Sequence, residues 1–198
     1  MENKWLLFCP QLPATPSSPR VTVWRRMRAA GAVGLDNGLW ILPYTESSEK
    51  VLQEIKVYLT TQGGSSKTFQ ANALDSVTEA EIIERFQRDR AEEYYELKEQ
   101  CVDFLAEIDK ETTRQNFSFA EYEENEQDLI KLEAWLEKVK QRDFLGGDQA
   151  TEAAEWLEKC RQSLHQFATT VFNHEKSGSL GKTGGEDHPD DETGNTGL

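Results

Sequence analysis

Val33-Gly34-Leu35-Asp36-Asn37-Gly38-Leu39-Trp40-Ile41-Leu42 is the stretch that decides how this chain folds. Two apolar runs flank Asn37-Gly38. Both turn residues tolerate positive φ, so the pair predicts a tight turn between two antiparallel strands. Pro43 closes the second strand because it brings no N–H to a ladder. Upstream, Trp5-Leu6-Leu7-Phe8 is a continuous apolar run suited to a buried strand, and Pro10 ends it. Pro10, Pro13, Pro16 and Pro19 stiffen the connection that follows. Ser18 as N-cap and Pro19 at the first helical position then open a helix over 20–30. Its core face reads as Val21, Trp24 and Met27, with Gly31 as the stop. Downstream, Val51, Leu52, Ile55 and Leu59 predict a helix over 46–62 halted by Gly63-Gly64, and 67–71 predicts one further short strand. The order βαββαβ predicts an α+β fold whose residues 1–75 form a ferredoxin-like sandwich, a four-stranded antiparallel sheet with both helices on one face.

After Asp75 the hydrophobic period changes. Phe86, Tyr94, Leu97, Cys101, Phe104 and Ile108 recur at threes and fours, interrupted by Arg90, and predict a helix over 77–113. Ser118-Phe119-Ala120-Glu121 is a capping box that opens a second helix with the stripe Leu129, Leu132, Leu136 and Val139. Gly146-Gly147 ends it. Ala153, Leu157, Cys160, Leu164, Phe167 and Val171 mark a third helix over 148–172. Residues 76–172 are therefore expected to form a long-helix antiparallel bundle of three acidic helices. From 173 to 198 the chain is rich in Gly, Ser, Thr and acids, and that composition predicts a disordered tail.

Charge is unevenly distributed. The formal net charge is −14 over 198 residues, yet residues 1–75 hold eight Lys and Arg against six Asp and Glu. Residues 76–162 hold twelve against twenty-four. A polyanionic partner must therefore meet the first segment, because the rest repels it. No apolar run approaches the roughly 20 residues of a membrane span, and no secretory core precedes Pro10, so the reading is a soluble cytoplasmic protein. Cys9, Cys101 and Cys160 lie far apart, and with His165, His174 and His188 they make no metal-ligand spacing. They read as reduced thiols acting as small hydrophobes.

One dense basic element stands out: Arg20, Arg25, Arg26 and Arg28 on the first helix. With Trp24 toward the core, Arg25 and Arg26 turn outward. Arginines so placed suit phosphate contact or guanine recognition in double-stranded DNA. The alternative is a solvated face paired with neighbouring acids, with the stems of Arg20 and Arg28 packed on the Trp24 ring. Gly181-Lys182-Thr183 lacks the glycine and the preceding strand of a phosphate loop, since Lys176 stands at the required position. No nucleophile–base constellation assembles, so no catalytic residue and no cofactor are assigned and the chain is not expected to be an enzyme.

The run Trp5-Leu6-Leu7-Phe8, then Pro19-Arg20-Val21, Val23-Trp24-Arg25-Arg26 and Gly31-Ala32, then Leu39-Trp40-Ile41-Leu42-Pro43, resembles the N-terminal region of the ChrB family of chromate-resistance proteins. Phe86, Glu93-Tyr94, Leu132-Glu133-Ala134-Trp135-Leu136, Arg142-Asp143-Phe144-Leu145-Gly146 and the helix around Cys160 continue the likeness over 1–172. The resemblance implies a DNA-binding transcriptional regulator acting in the bacterial cytoplasm. Full-length members carry a further C-terminal domain implicated in chromate sensing, and the expectation here is a disordered tail in its place. The order of elements is also similar to PaaX-type repressors and to ferredoxin-like nuclease subunits of CRISPR adaptation. Those nucleases need an acid just after the first strand, where this chain has Phe8-Cys9-Pro10-Gln11. The expectation is thus a regulator that contacts DNA through Arg20, Arg25, Arg26 and Arg28 and forms a homodimer, or docks a protein partner, through its helical bundle. The other reading is an adaptor module with no nucleic-acid role.

Overall fold

The computed structural model describes residues 4–35 and 38–180, the last four as backbone only. In chain order the elements are β1 (Trp5–Gln11), α1 (Ser18–Ala29), β2 (Val33–Gly34), β3 (Trp40–Pro43), α2 (Glu46–Thr61), β4 (Ser65–Ala71), α3 (Ser76–Thr113), α4 (Phe119–Gln141) and α5 (Asp148–Leu180). The fold is α+β and mostly helical, with one four-stranded antiparallel sheet in the order β2-β3-β1-β4.

The hairpin forms where Asn-Gly predicted it. Val33 pairs with Ile41 and Gly34 with Trp40, and the Leu35 N–H donates to the Leu39 carbonyl at 2.7 Å. The turn residues Asp36 and Asn37 lie outside the described residues, as does Gly181-Lys182-Thr183. Pro10 does not end β1, which runs on to Gln11. Its β3 pairing covers only Trp5 to Phe8, whereas β4 accompanies it to Gln11. Pro10 thus sits where β1 has lost its neighbour on one side, and a missing N–H is tolerated at such an edge.

The two sheet faces are buried by different helices. Leu6, Phe8, Trp40 and Leu42 pack beneath Val23 and Met27 of α1 and Leu52, Ile55 and Leu59 of α2. Trp5, Val33 and Ile41 face the other way, against Phe86 of α3. The Trp5 and Phe86 rings stack at 5.4 Å with planes 12° apart, and the Trp5 indole N–H donates to Glu79 at 2.9 Å. The start of α3 is therefore a lid on the sheet, and the rest of that helix enters the bundle.

One sequence expectation is corrected at α1. Its buried stripe is Pro19, Val23 and Met27, whereas Trp24 is 55% exposed and Val21 is exposed too. Positions four apart stay on one narrow stripe of a 3.6-residue helix, and Val21 lies nearly opposite it. The N-cap is also Ser17 rather than Ser18, and its side chain makes no capping hydrogen bond.

In the bundle, Leu97, Cys101, Phe104 and Ile108 of α3 meet Leu129, Leu132, Leu136 and Val139 of α4. Ala153, Leu157, Cys160, Leu164, Phe167 and Val171 of α5 complete that core. Asp75 caps α3 by accepting from the Thr78 N–H at 2.8 Å, which satisfies one of the free donors of the first turn. The capping box of α4 is half made. Ser118 Oγ accepts from the Glu121 N–H at 3.3 Å, but the Ser118 N–H is taken by the Asn116 carbonyl instead. Helix α5 continues to Leu180, past the boundary expected at Phe172; of the predicted tail, residues 181–198 lie outside the described residues.

Candidate nucleic-acid interface

Helix α1 exists because a narrow apolar stripe seats it on the sheet, and much of what lies off that stripe is left to solvent. The four arginines meet different fates there. Arg25 is exposed and has no hydrogen bond or ion pair to any described residue. Arg26 is exposed and lays its guanidinium 4.4 Å from the centre of the Tyr58 ring of α2, a contact worth about 0.5–1 kcal/mol at an exposed site. It fixes the side chain without neutralising it. Arg20 is exposed and donates through Nη2 to the Ala14 carbonyl at 2.6 Å, which leaves its charge unbalanced. Arg28 is different: its Nη1 lies 2.6 Å from Asp89 Oδ2 of α3. Three guanidiniums face water with their charge intact, and the fourth is matched by a carboxylate from the long helices.

The Trp24 indole stands among these arginines instead of beneath them. The three-residue spacing of Val21, Trp24 and Met27 suggests the core for it, and the signal that corrects the reading is the four-residue spacing of Pro19, Val23 and Met27. Asp89 was equally invisible as a partner, being 61 positions from Arg28.

Behind α1 lies a polar clamp. Arg90, which interrupts the apolar stripe of α3, is only 4% exposed. Its Nη2 sits 3.2 Å from Glu93 Oε1, and the same carboxylate accepts from Arg142 Nη2 at 2.6 Å and Nε at 2.8 Å. Next to it the Tyr94 hydroxyl donates to Asp143 at 3.0 Å. Burial, with help from that carboxylate, pushes the Tyr94 phenol well above the ordinary tyrosine range. Gly31, just after α1, has a φ of +76° and lies so close to the linker between α4 and α5 that an added Cβ falls 2.7 Å from Arg142 Cβ and 2.9 Å from Phe144. The segment 142–144 thus ties the end of α1 to α3. Among the described residues no group of three or more His, Cys, Asp or Glu is placed to hold a metal ion, and no helix is long and apolar enough to cross a membrane.

Comparison with known proteins bears on this arrangement. A family described as "Protein ChrB, N-terminal" matches residues 20–178, which takes in α1 from Arg20 onward and the clamp. Protein ChrB of Cupriavidus metallidurans is 33% identical over 95 residues. That alignment covers 48% of this chain and 29% of the relative, so this chain spans well under two thirds of the relative it matches. No solved structure matches.

Proposed function

The chain belongs to the ChrB family through that N-terminal region, and from this premise we propose that it is a DNA-binding transcriptional regulator associated with chromate resistance. In this reading the βαββαβ unit is a ferredoxin-like sandwich that displays α1, and Arg20, Arg25 and Arg26 contact phosphates of double-stranded DNA. Arg28 serves mainly to seat the helix. The bundle supplies the surface for a homodimer in the bacterial cytoplasm, which brings two copies of α1 to one site and makes weak contacts additive. The observation that carries the proposal is the outward, uncompensated charge of Arg20, Arg25 and Arg26 on a helix clamped at its far end.

Each phosphate neutralised contributes about −0.9 to the slope of log affinity against log salt on duplex DNA, so three contacts give roughly −3 per chain. Fluorescence anisotropy with the duplex upstream of the chain's own reading frame measures that slope. Arg25→Ala/Arg26→Ala should weaken binding and reduce the slope by about 2 per chain. A flat salt response of the unaltered protein removes phosphate contact from the account.

A second reading, a protein-interaction module without a nucleic-acid role, draws on the exposure of Trp24 and Val21 beside those arginines. It expects no DNA binding from either protein in the same titration.

A further inference from the structure

A groove opens beside α1 for a reason that lies in the sheet. Strand β3 begins at Trp40 opposite Phe8, whereas β1 runs on to Gln11. Past Phe8, β1 has no paired strand on that side among the described residues. The gap is walled by Pro10, Gln11, Leu12 and Trp40, roofed by Arg20 and Trp24 of α1, and measures about 430 Å³. Its lining combines three chemistries. Trp24 offers an indole that is 55% exposed. Arg20 spends Nη2 on the Ala14 carbonyl, which leaves Nη1 and Nε without a partner among the described residues. Gln11 accepts from the Ser65 hydroxyl at 3.2 Å through Oε1, and its amide NH₂ remains a donor without a partner among the described residues.

We propose that this groove takes one unstacked base of the DNA held along α1, with the base stacked on Trp24 and its edge met by Arg20 and Gln11. The inference rests on the DNA-binding reading above and deepens it, by assigning the apolar part of the same surface. A base has two apolar faces and a polar rim, and the groove has an aromatic wall with donors at its margin. The surrounding guanidiniums match the phosphates that such a base carries on either side. An aliphatic protein side chain would use the apolar wall but leave Arg20 and Gln11 unmatched. Proteins that hold unpaired bases gain affinity from such stacking with little regard to base identity, and extrusion from a duplex is easiest where the base is already unpaired.

The test compares two labelled duplexes of identical sequence, one continuous and one carrying a single unpaired purine, by anisotropy at low salt. The unaltered chain should bind the bulged duplex about ten-fold more tightly, in the range that one stacked base supplies. Trp24→Ala should abolish that preference while keeping the affinity for the continuous duplex and its salt slope. Trp24→Phe should retain most of the preference. Because Trp24 is exposed, both variants should melt at the temperature of the parent, as circular dichroism can check. Equal affinity of the parent for the two duplexes, or a preference that survives Trp24→Ala, overturns the base-binding groove and leaves the phosphate contacts standing. Absence of binding to either duplex overturns both.

Discussion

Gly31 joins the helix that carries the arginines to the linker that carries the clamp, and a single added methyl should separate the two costs it avoids. Its φ of +76° lies in the left-handed region, where a Cβ costs about 1–2 kcal/mol. Its Cβ would also meet Arg142 Cβ at 2.7 Å and the Arg142 carbonyl and Phe144 at 2.9 Å. Overpacking of that kind costs about 1–3 kcal/mol where the neighbours cannot retreat. Backbone and a ring that packs edge-on against Phe86 at 6.3 Å are such neighbours. Gly31→Ala should therefore destabilise by about 3 kcal/mol. Two other glycines serve as internal standards. Gly63 has a φ of +71° with nothing within 4 Å of an added Cβ, so Gly63→Ala should cost about 1 kcal/mol, the conformational part alone. Gly64 has no such φ, but its Cβ would fall 2.6 Å from the Gln11 carbonyl, so Gly64→Ala isolates the contact. Urea unfolding followed by far-UV circular dichroism reads all three. With a slope near 2 kcal/mol per molar, Gly31→Ala should lower the midpoint by about 1.5 M and Gly63→Ala by about 0.5 M. If Gly31→Ala is no worse than Gly63→Ala, the linker does not press on α1, and the clamp is not what seats the helix.

The clamp itself makes an asymmetric prediction. Glu93→Gln leaves Arg90, 4% exposed, without its carboxylate and should cost about 3 kcal/mol, whereas Arg90→Met should cost much less; thermal melts that rank the two the other way sink this account of Arg90. Tyr94 should be the last of the five tyrosines to ionise in a spectrophotometric alkaline titration, because its folded-state pKa is raised by burial and by Asp143. The unfolded tyrosine loses its proton near pH 10 and the folded one later. The stability tied to Tyr94 is thus complete below about pH 10 and drains away above it, and Tyr94→Phe should flatten that part of the pH–stability curve.

Much of this fold was legible because it rests on local signals. Asn37-Gly38 between apolar runs, the stripe Leu52, Ile55, Leu59, and the four-and-three spacing from Ala153 to Val171 each name an element and its buried face without outside information. The misses share a cause. Val21, Trp24 and Met27 recur at threes and so suggest a core face that includes Trp24, although the stripe of Pro19, Val23 and Met27 fills the seat. Arg90 looked like a flaw in a helix stripe because the network it joins through its neighbour Glu93 cannot be read from period: Arg142 reaches the same Glu93 across 49 positions, as Tyr94 reaches Asp143. Long-range polar pairs leave no periodic trace. The one local hint was a charged residue standing in a core register.

The same pairs decide whether so acidic a chain can approach DNA. A net charge of −14 matters only through acids near the bound polymer, since at physiological salt the Debye length is about 8 Å. Helix α3 has 38 residues and α5 has 33, so at 1.5 Å per residue each spans about 50 Å or more, and an acid such as Asp109, twenty positions beyond Asp89 on α3, stands about 30 Å from it along the helix, several screening lengths away. Of the acids that lie close, Asp89 is matched by Arg28, and Glu93 is shared by Arg90 and Arg142. The apparent loss of Arg28 as a phosphate contact is then a local gain, because Asp89 left unpaired would sit beside the helix as a repelling charge. Lowering the salt lengthens the reach of the distant acids. The rise in DNA affinity should therefore fall short, at the lowest ionic strengths, of the straight line that three guanidiniums alone would draw.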